Sequence, residues 1–217
     1  MESLQQKMVA NGRGGYCFEH NSLLRAGLLA LGFQVTGLIA RVVRGMDAAA
    51  PAPAGHMTLR VDLPEGEYLA DTGFGNLTPT APLALRPDIE QATPHETMRL
   101  RRMGEEFLLE ARTGRDWEHL YRLSPHPRLD MDYEVANWFT STHPQSRFTN
   151  NLVASRALAD RRVNLLNRRR TTYWRDGRVA EDELTDAEGL RRVLADDFGL
   201  EVDAEDAARL WGRLPAG

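Results

Sequence analysis

From Gly32 to Leu123 the sequence returns again and again to short strand-forming runs, with none of the 3.6-residue periodicity of a helix. Residues 34–44 read as a strand, and 46–55, rich in alanine and proline, as an exposed loop. Residues 56–62 and 67–72 form a hairpin across the turn sequence Leu63-Pro64-Glu65-Gly66. Further strands are expected at 97–102, 106–112 and 117–123. Helices are confined to the flanks. One runs from about Cys17 to Leu31, with Leu24, Leu28 and Leu31 at helical spacing and Gly32 as its stop. Another spans about Asp130–Ser141. Strands at 149–155, 162–166, 169–175 and 178–183 come next. Thr185 with Glu188 forms a capping box for a helix to about Asp197, and Asp203 caps a last short helix ending near Trp211. Runs of strands without regular strand–helix alternation predict an α+β fold of antiparallel strands rather than a doubly wound sheet.

The function classes that remain are set by charge and cysteine usage. The net charge of −4 argues against a surface built to coat nucleic acid. One stretch, Arg161–Arg178, is locally basic, with seven arginines against Asp176. It reads either as the solvated face of paired strands or as a rim that attracts a phosphorylated cofactor. No run of eighteen apolar residues is present to span a membrane, and the N-terminal residues have no leader-like apolar stretch. A single cysteine, Cys17, forbids an internal disulfide and fits a reducing, cytoplasmic setting. One cysteine and scattered histidines offer no metal-ligand spacing, so no metal is expected.

Cys17 follows the flexible loop Gly12-Arg13-Gly14-Gly15 and falls at the first turn of its helix. There the unpaired N–H groups and the helix dipole favour a thiolate, and the N–H of Cys17 can serve a developing oxyanion. A thiolate nucleophile needs a base, and the base needs an orienting partner. His20, three residues on along the helix, is one candidate base. His56 is the better one, because it opens a strand whose hairpin partner carries Asp71. With the turn at 63–66, residue 62 faces 67 and His56 faces Gly73. Asp71 is then the diagonal neighbour on the same face. A carboxylate there fixes the ring tautomer and supports the imidazolium, an arrangement that papain-like hydrolases also use.

These residues lie in segments that resemble a known family. Arg13-Gly14-Gly15-Tyr16-Cys17-Phe18-Glu19-His20-Asn21 is similar to the active-site motif of the arylamine N-acetyltransferases. His56-Met57-Thr58-Leu59-Arg60-Val61 resembles that family's histidine strand. Tyr68-Leu69-Ala70-Asp71-Thr72-Gly73-Phe74-Gly75 resembles its aspartate segment, with Thr72 where valine is more usual. The segment His143–Leu152 is similar to a later one lining the cofactor and acceptor cleft. The resemblance implies a cysteine-protease-like fold: an N-terminal helical bundle carrying the nucleophile (here 1–32), a β-barrel (33–128) and a C-terminal α/β lid (129–217). It implies ping-pong transfer of an acetyl group from acetyl-CoA to an arylamine or hydrazine through a Cys17 thioester, with His56 as base and Asp71 orienting it. By the same resemblance Phe74 and Phe148 line the acceptor pocket, and Gly73, Gly75, Ser146 and Thr149 contact the cofactor. Arg13 and Glu19 are structural, holding the loop against the helix.

Family members carry several dozen residues of helix ahead of this motif, so most of the first bundle is expected to be missing from a chain in which the motif begins at residue 13. Three alternatives accompany the acetyltransferase reading. One is an amide synthase of the same fold that closes a macrolactam. The others are a cysteine hydrolase, against which the Arg-Gly-Gly-Tyr-Cys-Phe-Glu motif argues, and a truncated, catalytically silent homologue.

Overall fold

The computed structural model describes residues 1–215. The chain opens with a helical turn, α1 (Glu2–Leu4), that continues as a π-helix over Gln5–Ala10. This segment joins the residues from Thr140 onward in one compact unit, while Gly15–Phe139, with Met1, form the other.

In the Gly15–Phe139 unit the nucleophile helix is α2 (Cys17–Ala30). Its first turn is closed by Glu19, whose carboxylate accepts the Tyr16 backbone N–H at 3.2 Å, and Gly32 (φ 87°) follows its end. Leu24 packs towards Cys17, Phe18, Met57 and Leu59, whereas Leu31, at the end of the helix, is exposed.

Eight antiparallel strands follow: β1 (Gln34–Val42), β2 (Ala54–Leu63), β3 (Gly66–Ala70), β4 (Leu83–Ala84), β5 (Glu90–Ala92), β6 (Thr97–Met103), β7 (Glu106–Thr113) and β8 (Asp116–Leu123). Their order is β4-β3-β2-β1-β8-β7-β6-β5, a nearly closed barrel. Inward-facing residues such as Leu38, Leu69, Met98, Leu100, Leu109 and Leu123 fill it. The expected α+β class with a central antiparallel barrel is observed.

The strands at the two ends of that order, β4 and β5, were not foreseen. At two and three residues they are too short to show a period of two. They meet through a side chain: the Gln91 carboxamide accepts the Ala84 N–H at 2.7 Å and donates to the Ala84 carbonyl at 3.0 Å. A glutamine thus makes the pair of bonds that a neighbouring strand would make. The helix α3 (Asp130–Thr142) follows the barrel.

In the second unit, α4 (Arg147–Asn150) replaces the start of the strand expected from 149, and β9 runs Val153–Ala157. Strands β10 (Arg161–Leu166), β11 (Arg169–Trp174) and β12 (Val179–Glu183) complete a four-stranded antiparallel sheet, followed by α5 (Ala187–Phe198) and α6 (Ala204–Arg213). Val163, Leu165, Leu190, Leu194 and Phe198 form its core. Asp186, not Thr185, caps α5: its carboxylate accepts the Gly189 N–H at 2.7 Å. Asp203 caps α6 as expected.

Arginines of the basic stretch are paired with carboxylates. Arg161 pairs with Asp160, Arg169 with Glu181, Arg170 with Asp182 and Asp197, and Arg178 with Asp176. These four arginines lie on the partly solvated side of the paired strands, whereas Arg162 is buried. Among the described residues no helix is long and apolar enough to cross a membrane, and no group of three or more His, Cys, Asp or Glu is placed to hold a metal ion.

Candidate active site

The hairpin register runs Leu63↔Gly66, Asp62↔Glu67 and on to Leu59↔Ala70, where the ladder stops. Asp71 therefore lies just beyond β3, in the loop that follows, and still reaches His56. The imidazole Nε2 stands 2.6 Å from Asp71 Oδ2, with both side chains almost wholly buried. Nε2 being engaged, Nδ1 is the ring nitrogen left for sulfur. Cys17 is close enough to contribute to the raised pKa of the imidazole, and its Sγ lies 3.9 Å from the Gly55 carbonyl.

That carbonyl is aimed by a β-bulge. Ala40 pairs with His56 but Arg41 pairs with Ala54, so Gly55 is an extra residue beside the histidine.

Burial alone would deprotonate His56. The charge of Asp71, its hydrogen bond and the contribution of Cys17 outweigh burial and raise the imidazolium to about 10. Burial likewise opposes a charge on Asp71. The His56 charge and hydrogen bonds from His56, Asn21 and the Gly73 N–H hold its carboxyl below the usual value.

Each Asp71 oxygen takes two donors. Oδ2 accepts His56 Nε2 and the Tyr121 hydroxyl at 2.9 Å, and Oδ1 accepts the Gly73 N–H at 2.9 Å and Asn21 Nδ2 at 2.9 Å. Tyr121 is fully buried, and its hydroxyl is pushed well above the ordinary tyrosine value by burial first and by the Asp71 charge second. It remains a donor.

Gly73 and Phe74 complete the cluster. A Cβ on Gly73 would fall 2.5 Å from Cys17 Cα and 3.2 Å from Cys17 Cβ, so the loop passes the nucleophile at a distance that only glycine permits. Phe74 presents its ring edge-on to His56 with centroids 5.3 Å apart, and Tyr121 lies 4.9 Å from the same imidazole. Thr78 ties the loop down: its hydroxyl donates to the Asp71 carbonyl at 3.2 Å and accepts the Phe74 N–H at 3.3 Å. Gly75 adopts φ 90°, a region closed to most side chains.

Cys17, His56, Asp71, Gly73 and Phe74 thus form one cluster in the first unit, with Gly75 in the same loop. Ser146, Phe148 and Thr149 belong to the second unit. There Ser146 is buried and caps α4 by accepting the Phe148 N–H, Thr149 donates to the His143 and Ser146 carbonyls, and Phe148 is half exposed. His20 sits on α2, and it is His56 that meets Asp71. Asn21, Tyr121, Thr78 and the Gly55 bulge were missed. Asn21 alone left a signal, standing one helical turn after Cys17 on the same face.

A buried, fully donated carboxylate behind an imidazole behind a thiol is equipment for acyl transfer through sulfur, and relatives of this chain carry that activity in their names. The family described as N-acetyltransferase matches residues 1–207. The arylamine N-acetyltransferase of Mycobacterium tuberculosis is 39% identical over 204 residues, which cover 93% of this chain and 72% of that one. The chain belongs to the arylamine N-acetyltransferase family. The Escherichia coli arylamine N-acetyltransferase is 36% identical over 203 residues, with the same coverages of 93% and 72%. The solved structure of the Mycobacterium marinum arylamine N-acetyltransferase in complex with CoA superposes with a TM-score of 0.92 at 37% identity, covering 98% of this chain and 81% of that one. The chain is therefore an acyltransferase of the arylamine N-acetyltransferase type, and the resemblance seen in its motifs extends along almost its whole length.

Proposed function

We propose that the chain moves an acetyl group from acetyl-CoA to the amine of an arylamine or hydrazine by a ping-pong reaction through a thioester on Cys17. The observation that carries the reading is the buried His56–Asp71 pair at 2.6 Å, in one unit with Cys17, whose backbone lies against the Asp71–Gly73 loop. The Cys17 thiolate, held against the His56 imidazolium, adds to the acetyl carbonyl. The Cys17 N–H at the start of α2 steadies the oxyanion. The bond to the CoA sulfur then breaks, and His56 gives its proton to that sulfur, releasing CoA as the free thiol. In the second half the amine adds to acetyl-Cys17, His56 takes the amine proton, and the cysteine leaves as thiolate. Asp71 stays ionised throughout, because four donors favour its charged form.

The CoA of the M. marinum complex supports the donor. Phe74, beside the imidazole, and Phe148 are assigned to the acceptor, and Gly73, Gly75, Ser146 and Thr149 to the cofactor. For Gly73 the assignment is supported by its place in the loop that passes directly against Cys17. The three-part division at 32/33 and 128/129 is kept as a proposal about how these roles are shared.

Intact mass after brief incubation with acetyl-CoA and no acceptor tests the reading. One acetyl group should appear, map to Cys17, be discharged by an arylamine, and be absent from a folded Cys17→Ala protein. A folded wild-type sample that stays unacetylated would overturn the reading. An acetyl-enzyme that no arylamine or hydrazine discharges would overturn the acceptor class.

A further inference from the structure

Asn21 is completely buried, and all its hydrogen-bonding capacity is directed at the residues of the site. Its Nδ2 donates to the Met57 carbonyl at 2.7 Å and to Asp71 Oδ1 at 2.9 Å. Its Oδ1 accepts the Thr72 N–H at 3.0 Å and the Thr72 hydroxyl at 3.3 Å. The carboxamide has one orientation only. Turned over, its oxygen would face two acceptors and its NH₂ the Thr72 N–H. The three segments it joins are those that carry the reacting groups: α2 one turn beyond Cys17, β2 beside His56, and the loop of Asp71 and Gly73. The Thr72 hydroxyl gives Asn21 Oδ1 a donor that a valine there would lack.

We propose that Asn21 is a positioning residue for acyl transfer: it fixes the Asp71 carboxylate, and through it the His56 imidazole, in register with Cys17. This rests on the reading of Cys17, His56 and Asp71 given above. Asn21 touches neither the thioester nor the amine in this scheme. Its loss acts through a misplaced carboxylate and base, so the chemical step suffers and substrate binding does not.

The test uses Asn21→Asp and Asn21→Ser, with acetylation of Cys17 followed by rapid-quench mass spectrometry. Losing a hydrogen bond to a charged partner should slow acetylation about 10- to 100-fold in both. The acetyl-CoA concentration for half-maximal rate should move less than about threefold. Asn21→Asp carries a further signature. Near pH 8 it sets a second carboxylate against Asp71. Near pH 6, once protonated, it can donate as the amide does, so its deficit relative to wild type should narrow while that of Asn21→Ser stays flat. Wild-type acetylation in either folded variant would overturn the proposal, as would deficits that run parallel with pH. If neither folds, Thr72→Val, at an exposed position, decides: a two- to threefold slower acetylation is expected, and an unchanged rate overturns it. Wild-type protein run alongside separates the two claims, because failure of wild type to acetylate refutes the Cys17 thioester itself.

Discussion

In the Gly15–Phe139 unit, one buried carboxylate, Asp71, takes four donors from α2, β2, β8 and its own loop. In the second unit, Arg161, Arg169, Arg170 and Arg178 meet carboxylates at the surface, and Arg170 has two of them. The first network is buried, so no water stands ready to replace a donor that is removed from the Asp71 charge. Most of the second is open to water, which replaces a lost partner, although Asp197 is only 15% exposed. Two charge networks of similar density on paper therefore have opposite sensitivities: the site is fragile and specific, the arginine sheet redundant and tolerant.

The comparison is broken most directly at Asp71. Asp71→Asn should lower the acetylation rate about 10³- to 10⁴-fold, by analogy with the loss of a triad carboxylate, and destabilise the fold by about 3 kcal/mol. Single-turnover kinetics and denaturant unfolding measure the two. A rate near wild type would remove Asp71 from the mechanism. Gly73→Ala comes next, because its methyl must displace Cys17. We expect about 1–3 kcal/mol of destabilisation and a loss of about 100-fold in rate from the shifted nucleophile.

The pH dependence of stability sharpens the contrast. His56 is raised from 6.5 to about 10, so the stability from its protonated form is complete below 6.5 and is lost as pH climbs towards 10. Asp71 is held below 3.8, so its contribution is complete above that value and lost as pH falls beneath it. The stability gap between wild type and Asp71→Asn should therefore be widest between about pH 4 and 6.5 and narrow on both sides in thermal melts. A gap independent of pH would deny the coupled pair. Smallest of all is Arg170→Gln in the second unit, expected to cost about 1 kcal/mol or less despite two ion pairs. A loss as large as that of Asp71→Asn would undo the comparison.

How much of this was legible in the sequence follows the range of the interactions. The hairpin turn at Leu63–Gly66 fixed a register, and a period of two carried it to His56 and Asp71 without knowledge of the rest of the fold. The start of α2 at Cys17 was readable from its glycine loop. Tyr121 was not: it reaches Asp71 from 50 residues away, across a barrel whose closure no local pattern announces. The Gly55 bulge was hidden because a bulge shows itself only when two strands are aligned. At the α5 cap, Thr185 and Asp186 were both competent by type, and the backbone path chose the second. The basic stretch stayed open between two readings for a related reason: its carboxylate partners lie outside the Arg161–Arg178 window in four of five pairings, and Glu181, Asp182 and Asp197 are brought to it only by the fold.

The Gln91 clasp has a consequence beyond closing the barrel. An open sheet ends in rows of bare amides and carbonyls that invite a strand from another molecule. Here the terminal strands have two and three residues, and the Ala84 amide and carbonyl are already taken by a side chain. A foreign strand would find too short a landing and would have to evict a glutamine to use it. One carboxamide thus also guards this seam against self-association in a crowded solution.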